Sequence, residues 1–499
     1  MQFRTVFVRG YLHHYYPKPI DTGASMYGTR SQSREGLSMQ TSRTAMKRCN
    51  LWGLGNQTRA TVAVVALFFG LGWVPDHARG AQELKTGIDN NQPIRNPGGA
   101  AATFSTQGFV VLTGEYFQAQ GTNGRSCASC HIPEEAWSIN PGTLQRLFDE
   151  TEGTHPVFNP LDANNPNTAD FSTVEGRRAA YSMLLSRGVV RRGGALKAEP
   201  REWDLIAVED PHGFANLTRL VQWRRVMPTI NFATGSATVN WDGGNTMGTQ
   251  RAGLENQAMR NVLGPQQGTT SATAAVIANI VDFETSLSTA QLIVPGVGRL
   301  DSDGARGGPE ALSFMAKFEG RFDLFDAWAS HKNRRRAQIA RASRSPRRPH
   351  QSTGHKNRRR AQIARGQELF NNTNPGGRRC GACHSSANNG TNFNNLLFNI
   401  GTASAAARTP DLTLHTFRNR ATGEIQQLTD AGRGNVTGLW SDLGKFKTPT
   451  LRALAARAPY FHNGIAATLG DVVHHYETHL GFIFTDEERA DLVAFLSAL

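Results

Sequence analysis

Two copies of the pattern Cys-x-x-Cys-His stand at 127–131 and 380–384. This is the spacing of covalent c-type haem attachment, in which two thiols on one helical turn reach the two vinyl groups and the histidine turns its imidazole to the iron. A single motif of this kind could also bind zinc. Two motifs that use four of the five cysteines favour two haem c groups. The predicted attachment and iron-binding residues are Cys127, Cys130, His131, Cys380, Cys383 and His384.

The opposite axial ligand of each iron decides between electron transfer and chemistry. No methionine follows His384, so the second haem cannot take a methionine ligand from its own half. Histidines and tyrosines are the remaining local candidates, namely His415, His462, His474, His475, His479, Tyr460 and Tyr476. The first half offers Met183, Met227, Met247 and Met259, each of which also fits as filler of the core.

The formal net charge of +14 suggests nucleic-acid binding until the charges are located. Residues 331–365 and 1–80 carry the basic excess, and the body of the chain is mildly acidic. The eleven residues HKNRRRAQIAR occur twice without change, at 331–341 and 355–365. A polar, basic duplication cannot build a core, so it predicts a disordered insert within a linker at 301–365, or alternatively a basic docking arm. This distribution of charge argues against a nucleic-acid-binding body.

The beginning of the chain has the order of an export signal. A basic stretch from Met46 precedes an apolar run at 61–74, and Ala78 and Gly80 provide small residues before a cleavage at Ala81. We therefore predict a signal peptide at 46–80, a disordered extension at 1–45 and a periplasmic protein. An uncleaved anchor is the alternative, and the first 45 residues could also reflect a start at Met46 or Met39.

A weaker repeat divides the chain into two halves. Phe117 lies ten residues before Cys127, and Phe370 lies ten residues before Cys380. Each half also ends on a similar helical pattern, at 280–287 and 492–499, and the second pattern follows a T-x-x-E capping box at 485–488. This order predicts a mainly α fold with two cytochrome c-like domains, 81–300 and 366–499, each around one covalent haem and with long loops.

Longer stretches resemble the bacterial dihaem cytochrome c peroxidases. In the second half these are KTPTLR at 447–452, APYFHNG at 458–464 and TLGDVV at 468–473; in the first half they are WDGG at 241–244 and LENQA at 254–258. The resemblance covers roughly residues 103–499 apart from the basic insert. Tyr476 stands where the family has a methionine, as in the branch typified by the methylamine dehydrogenase maturation enzyme.

The resemblance implies roles for individual residues. The first haem would meet peroxide and the second would deliver electrons, with Trp241 between them and Gln257 as a donor in the distal pocket. Tyr476 would bind the second iron. Two alternatives stay open, in which Trp241 is a core aromatic residue and Tyr476 packs on its helix while a neighbouring histidine binds the iron.

Two departures from the family pattern put parts of this picture in doubt. Gln267 takes the position of the peroxide-cleaving acid, and an amide cannot shuttle a proton, unless Glu255 or another acid substitutes. Val226 takes the position of an asparagine that binds an interdomain calcium ion in the family. Backbone carbonyls near Arg457 and Pro459 still leave calcium open.

The sequence thus predicts an exported dihaem oxidoreductase that passes electrons from a small periplasmic electron-transfer protein to hydrogen peroxide, or that acts on another oxidisable substrate. The alternative is a dihaem electron-transfer cytochrome without peroxidase activity. A homodimer is left open.

Overall fold

Strands as well as helices build the part of the chain that the computed structural model describes, which comprises residues 86–197, 199–329 and 351–499. The structure is 33% helix and 18% strand, so the prediction of a mainly α fold is wrong. Stretches that the prediction assigned to long loops contain strands, because the backbone groups of any residue type can pair with a partner strand. The predicted extension, the signal peptide with its apolar run, and the first copy of the basic repeat lie outside the described residues.

Eleven helices and thirteen strands lie within the described ranges. The helices are α1 (Pro141–Thr151), α2 (Val174–Ala180), α3 (Ser182–Arg187), α4 (Gln250–Leu263), α5 (Ala274–Ser286), α6 (Pro309–Ser313), α7 (Asp326–Ala329), α8 (Gln351–Asn371), α9 (Gly434–Thr437), α10 (Leu469–Leu480) and α11 (Asp486–Ser497). The strands are β1 (Gly87–Asp89), β2 (Ile94–Asn96), β3 (Gly99–Ser105), β4 (Phe109–Val111), β5 (Val189–Ala195), β6 (Trp203–Glu209), β7 (Arg219–Arg225), β8 (Leu287–Val294), β9 (Gly298–Arg299), β10 (Leu397–Phe398), β11 (Leu414–Asn419), β12 (Ile425–Leu428) and β13 (Phe446–Lys447). None of the described helices is long and apolar enough to cross a bilayer.

The internal repeat is visible in matching aromatic contacts. Phe117 packs edge-on against Phe283 of α5, with ring centroids 5.4 Å apart. Phe370 packs against Phe495 of α11 at 5.5 Å. Each motif cysteine pair therefore follows a phenylalanine that contacts the closing helix of its own half. In the first half the segment before the motif is only a 3-10 turn, Glu115–Phe117, whereas in the second half it is the long helix α8.

Strand pairing joins the two halves. β6 of the first half pairs with β11 of the second in an antiparallel sheet whose order is β12-β11-β6. Arg187 at the end of α3 adds a two-pronged ion pair with Asp411, through its Nε at 2.7 Å and its Nη2 at 2.8 Å. The other large sheet, β2-β3-β8-β9, continues directly from α5, because Leu287 ends the predicted closing helix and begins β8.

The second copy of the basic repeat is helical, which corrects the prediction of a disordered insert for 355–365. It lies in α8, where Ile363 and Ala364 are buried in the core of the second half. Arg360 lies over the ring of Trp328 at 4.8 Å, and Arg365 binds both carboxylate oxygens of Asp491. A helix of this composition is held by its tertiary contacts rather than by an amphipathic pattern of its own.

The predicted capping box of the last helix is confirmed. Thr485 accepts a hydrogen bond from the backbone N–H of Glu488 at 3.2 Å, and Glu488 accepts in return from the backbone N–H of Thr485 at 2.9 Å. We expect Thr485→Ala to lower the free energy of unfolding by about 1 kcal/mol, because an orphan N–H of α11 loses its partner. Chemical denaturation measures this loss. Thr485→Ser, which keeps the hydroxyl, is the control and should remain close to the wild type.

Candidate haem-binding site

The two Cys-x-x-Cys-His motifs fold in the same way. Each begins with a 3-10 turn, Cys127–Ser129 in the first half and Cys380–Ala382 in the second. In both, the backbone N–H of the histidine donates to the carbonyl of the first cysteine at 3.1 Å. In both, the histidine Nδ1 then donates to a carbonyl six residues further on, from His131 to Trp137 at 3.0 Å and from His384 to Gly390 at 2.6 Å.

This hydrogen bond leaves Nε2 of each motif histidine as the free nitrogen. A carbonyl partner on Nδ1 fixes the tautomer and the ring orientation, as partners of metal-binding histidines do. Burial lowers the pKa of His131 and of His384 to about 4 in each case. Both imidazoles are therefore neutral at neutral pH, which is the form that binds a metal.

The four motif cysteines are free thiols, and none of the described cysteines forms a disulfide. Burial raises the pKa of Cys380 to about 12, and it raises that of Cys127 well above the ordinary range. These buried thiols are unpaired and available for addition to the vinyl groups of haem. Within the described ranges, no group of three or more His, Cys, Asp or Glu side chains could hold a metal ion.

A cavity of about 840 Å³ opens on the first motif, and its wall includes Cys127, Cys130 and His131. This volume lies in the range of roughly 300 to 1,000 Å³ that small-molecule and cofactor sites occupy. Seven basic and three acidic side chains line it. A surplus of positive charge suits a cofactor with two carboxylates, as haem has, so the residues of this cavity fit the group that the motif predicts.

Trp241 lies in this cavity at the contact between the halves. Its indole N–H donates to the carbonyl of Arg225 at 2.8 Å. Its ring is 6.3 Å from the imidazole of His462, which in turn stacks on Phe446 at 3.9 Å. The aromatic residue of the first half thus meets an aromatic pair of the second half.

Gln257 also lines the cavity, from helix α4. Gln267 does not: it is exposed, and its side-chain oxygen accepts a hydrogen bond from Asn123 at 3.1 Å. Glu255 is likewise absent from the wall and pairs with Arg251 at 2.8 Å. The two residues that the sequence offered for the acid position are therefore outside the cavity.

Three acids line the cavity, and Asp162 and Asp242 are paired with Arg125 and Arg224. The third, Glu284 on α5, was missed by sequence reasoning. It is 2% exposed, and its Oε2 has no hydrogen-bond partner among the described residues. Burial raises the pKa of Glu284 to about 8. The signal was present in the repeat, because the closing helix of the second half has a buried leucine, Leu496, at the matching position.

Tyr476 lies on α10, in the second half and apart from the residues of the first cavity. It packs beside the core that Cys380 also borders, and burial raises its pKa far above the ordinary value. Among the described residues, its hydroxyl forms no hydrogen bond.

Several competing ligands are already engaged. His415 uses both ring nitrogens on backbone groups, Nδ1 towards Leu428 and Nε2 towards Val221, each at 3.3 Å. Nε2 of His475 donates to Ile400 at 2.8 Å, and the hydroxyl of Tyr460 donates to Leu454 at 3.1 Å. Nε2 of His462, by contrast, is buried without a partner in the described chain.

Comparison with curated proteins identifies cytochrome c peroxidases as sequence relatives, which confirms the predicted resemblance. The cytochrome-c peroxidase IdrP2 of Denitromonas iodatirespirans is 34% identical over 149 residues, which cover 27% of this chain and 38% of that protein. The cytochrome c551 peroxidase of Nitrosomonas europaea is 44% identical over 70 residues, which cover 14% and 21%. The chain thus matches less than half of the length of these relatives. No protein-family model matches the sequence.

Two solved structures are similar over most of the chain at low identity. One is a MauG-like protein associated with microbial copper homeostasis, with 16% identity, a TM-score of 0.36 and coverage of 77% of this chain and 86% of that chain. The other is a variant of the diheme peroxidase BthA from Burkholderia thailandensis, with 18% identity, a TM-score of 0.28 and coverage of 77% and 83%. With TM-scores this low, neither structure adds to the case for the site.

Proposed function

We propose that this chain is a periplasmic dihaem c-type oxidoreductase that reduces hydrogen peroxide with electrons from a small electron-transfer protein. The observation that carries the proposal is the cavity of the first motif, which gathers His131, Trp241, Gln257 and Glu284 in one wall. A cavity that contains polar groups and an acid with a shifted pKa is typical of a reaction site. It is not typical of an electron-transfer protein whose haem is closed to substrates.

The chain would hold one haem through Cys127, Cys130 and His131, and the other through Cys380, Cys383 and His384. When bound, the haem irons supply the electron storage and the reaction with peroxide. Tyr476 is the proposed second ligand at the second motif, because it packs against the same core as Cys380 and its hydroxyl is unengaged. His462 also has a free Nε2, but its ring stacks on Phe446 beside Trp241.

Around the first motif, the side chains bind the substrate and handle its proton. The amide of Gln257 offers two N–H donors and a carbonyl acceptor, which can orient a small hydroperoxide. Glu284 keeps its proton at neutral pH because burial disfavours its charged form. A neutral carboxyl can donate that proton and recover it, which the exposed amide of Gln267 cannot do.

Electrons would enter the cavity through Trp241. Its ring lies between the first cavity and the stacked pair of His462 and Phe446 in the second half. The hydrogen bond from Nε1 to the carbonyl of Arg225 holds the indole in this position. An aromatic residue at this contact shortens the path between the two halves.

One observation favours the alternative, an electron-transfer cytochrome without peroxidase activity. Gln267, at the family's acid position, is exposed and hydrogen-bonded to Asn123, so this position provides no acidic side chain for peroxide cleavage. The buried acid Glu284 weighs against this alternative, because a pure carrier has no need of a proton donor in its cavity.

The test is peroxide consumption by the purified holoprotein with a reduced small cytochrome as electron donor. We expect turnover in the wild type, and we expect Trp241→Phe to lower the rate by roughly tenfold or more, equivalent to about 1.4 kcal/mol of barrier. Trp440→Phe is the matched control, since its indole bonds Glu424 at the surface and should leave the rate unchanged. A wild type that contains both haems and does not consume peroxide would move the assignment to the electron carrier.

A further inference from the structure

A buried arginine, Arg225 at the end of β7, joins the two halves beside Trp241. Its Nη1 donates to the backbone carbonyls of Arg187 and Gly188 in the first half, at 3.1 and 3.0 Å. Its Nη2 donates to the carbonyls of Arg457 and Ala458 in the second half, at 3.4 and 3.5 Å. One guanidinium therefore binds two carbonyls on each side of the contact.

The backbone of the same residue holds the aromatic contact. The N–H of Arg225 donates to the carbonyl of His462 at 2.6 Å, and its carbonyl accepts from the indole of Trp241 at 2.8 Å. Any displacement of Arg225 would therefore move both aromatic residues that face each other across the halves.

The guanidinium is a buried charge, since Arg225 is only 5% exposed. Its pKa is lowered to about 10, chiefly by burial and also by the neighbouring Arg457, while the carboxyl of Glu135 acts in the opposite direction. Arg225 thus keeps its proton at neutral pH. A buried cation needs several oxygen partners, and the four carbonyls provide them.

These residues do not fit the calcium ion that the family resemblance left open. Calcium takes roughly six to eight oxygen ligands. Here the carbonyls of Arg457 and Ala458 already face a positive group. Val226, at the family's asparagine position, has no side-chain oxygen, and its carbonyl accepts from the hydroxyl of Ser138 at 2.6 Å. Among the described residues, no acidic cluster is available to replace that ligand.

We infer that the guanidinium of Arg225 is a built-in cation that joins the two halves and positions Trp241 and His462 without calcium. Arg225 is a positioning residue, because it acts through the two aromatic side chains. The importance of that position for electron transfer rests on the proposed function, whereas the calcium-free contact rests on the geometry alone.

The first experiment uses the wild-type holoprotein. Its calcium content after dialysis is measured by elemental analysis, and its thermal unfolding is followed in EGTA and in calcium chloride. We expect no stoichiometric calcium and the same melting temperature in both solutions. One bound calcium ion per chain, with a melting temperature that falls in EGTA, would overturn the inference.

The second experiment compares Arg225→Ala and Arg225→Lys with Arg177→Ala. Arg177 is the matched control, because it also donates to two carbonyls, of Glu152 at 2.7 Å and Phe171 at 2.8 Å, but within the first half only and outside the cavity wall. We expect Arg225→Ala to lower the melting temperature by roughly 2 to 4 °C and to slow electron equilibration between the two haem groups in the half-reduced protein. Arg225→Lys should restore part of both. Arg177→Ala should leave the equilibration rate unchanged.

The outcomes separate the two proposals. If Arg225→Ala loses stability and slows equilibration while the wild-type holoprotein consumes no peroxide, the proposed function fails and the built-in cation stands. If Arg225→Ala folds with unchanged melting temperature and equilibration rate, the cation inference fails. Should Arg225→Ala not fold, the lysine variant and the calcium measurement still decide.

Discussion

Replacing Cys127 and Cys130 together by serine is expected to leave one covalent haem per chain in place of two, and replacing Cys380 and Cys383 is expected to do the same at the other motif. In the proposed function each pair of thiols would form the covalent links to its own haem, and each motif histidine is oriented separately by its own carbonyl partner. Loss of one group should therefore not prevent attachment of the other. Haem staining of denaturing gels and the haem-to-protein ratio of the purified chain measure the outcome.

The two double variants should differ in what they lose. Without the first haem, the cavity that contains Gln257 and Glu284 has no iron, so peroxide consumption should fall to background. Without the second haem, the first site should still bind small ligands, but turnover with the protein donor should stop. Cys49→Ser is the control and should keep both haem groups, because Cys49 lies before the predicted cleavage site. Two covalent haem groups in either double variant would contradict the attachment sites.

What the sequence predicted well is local chemistry. The motif spacing placed two thiols and a histidine on one turn, and the structure forms that turn at both sites. The T-x-x-E pattern at Thr485 gave the start of α11 correctly. In each case, the residues that interact lie within a few positions of one another, so the pattern contains the whole interaction.

What the sequence could not predict depends on distant partners. β6 and β11 pair across the halves, and the composition of neither segment indicates which strand will be its partner. The second copy of the basic repeat is helical because Ile363 packs in the core, Arg360 lies over Trp328 and Arg365 pairs with Asp491, all of them partners outside the repeat itself. The mainly α prediction failed for the same reason, since it counted helical patterns and had no means to see strand pairing.

Glu284 was missed for a different reason. The match between the two closing helices rests on their apolar positions. Glu284 aligns in sequence with Leu496, so it falls outside that match. A charged residue at a buried helical position in one half of a repeat and a leucine in the other is a readable signal of a special role. The buried carboxyl of Glu284 also gives the prediction with the largest expected effect on the stability of this chain.

We expect the Glu284→Gln variant to lose less unfolding free energy than the wild type as the pH rises. The pKa of Glu284 is raised to about 8 in the folded protein, above the value of 4.5 for an unperturbed glutamate. Between these two values the folded chain keeps a proton that the unfolded chain releases, so each pH unit costs the wild type about 1.4 kcal/mol of unfolding free energy. Below pH 4.5 this loss of unfolding free energy vanishes, and above pH 8 the accumulated loss no longer grows.

From pH 5 to pH 8 the wild type should therefore lose roughly 4 kcal/mol relative to Glu284→Gln. Urea denaturation of the two holoproteins at intervals of one pH unit measures this difference. Glu255→Gln is the matched control, because Glu255 lies on α4 in an exposed pair with Arg251, and its replacement should leave the pH dependence as in the wild type. Parallel pH curves for the wild type and Glu284→Gln would mean that Glu284 is ionised in the folded protein. The carboxyl would then be unable to serve as the proton donor of the cavity.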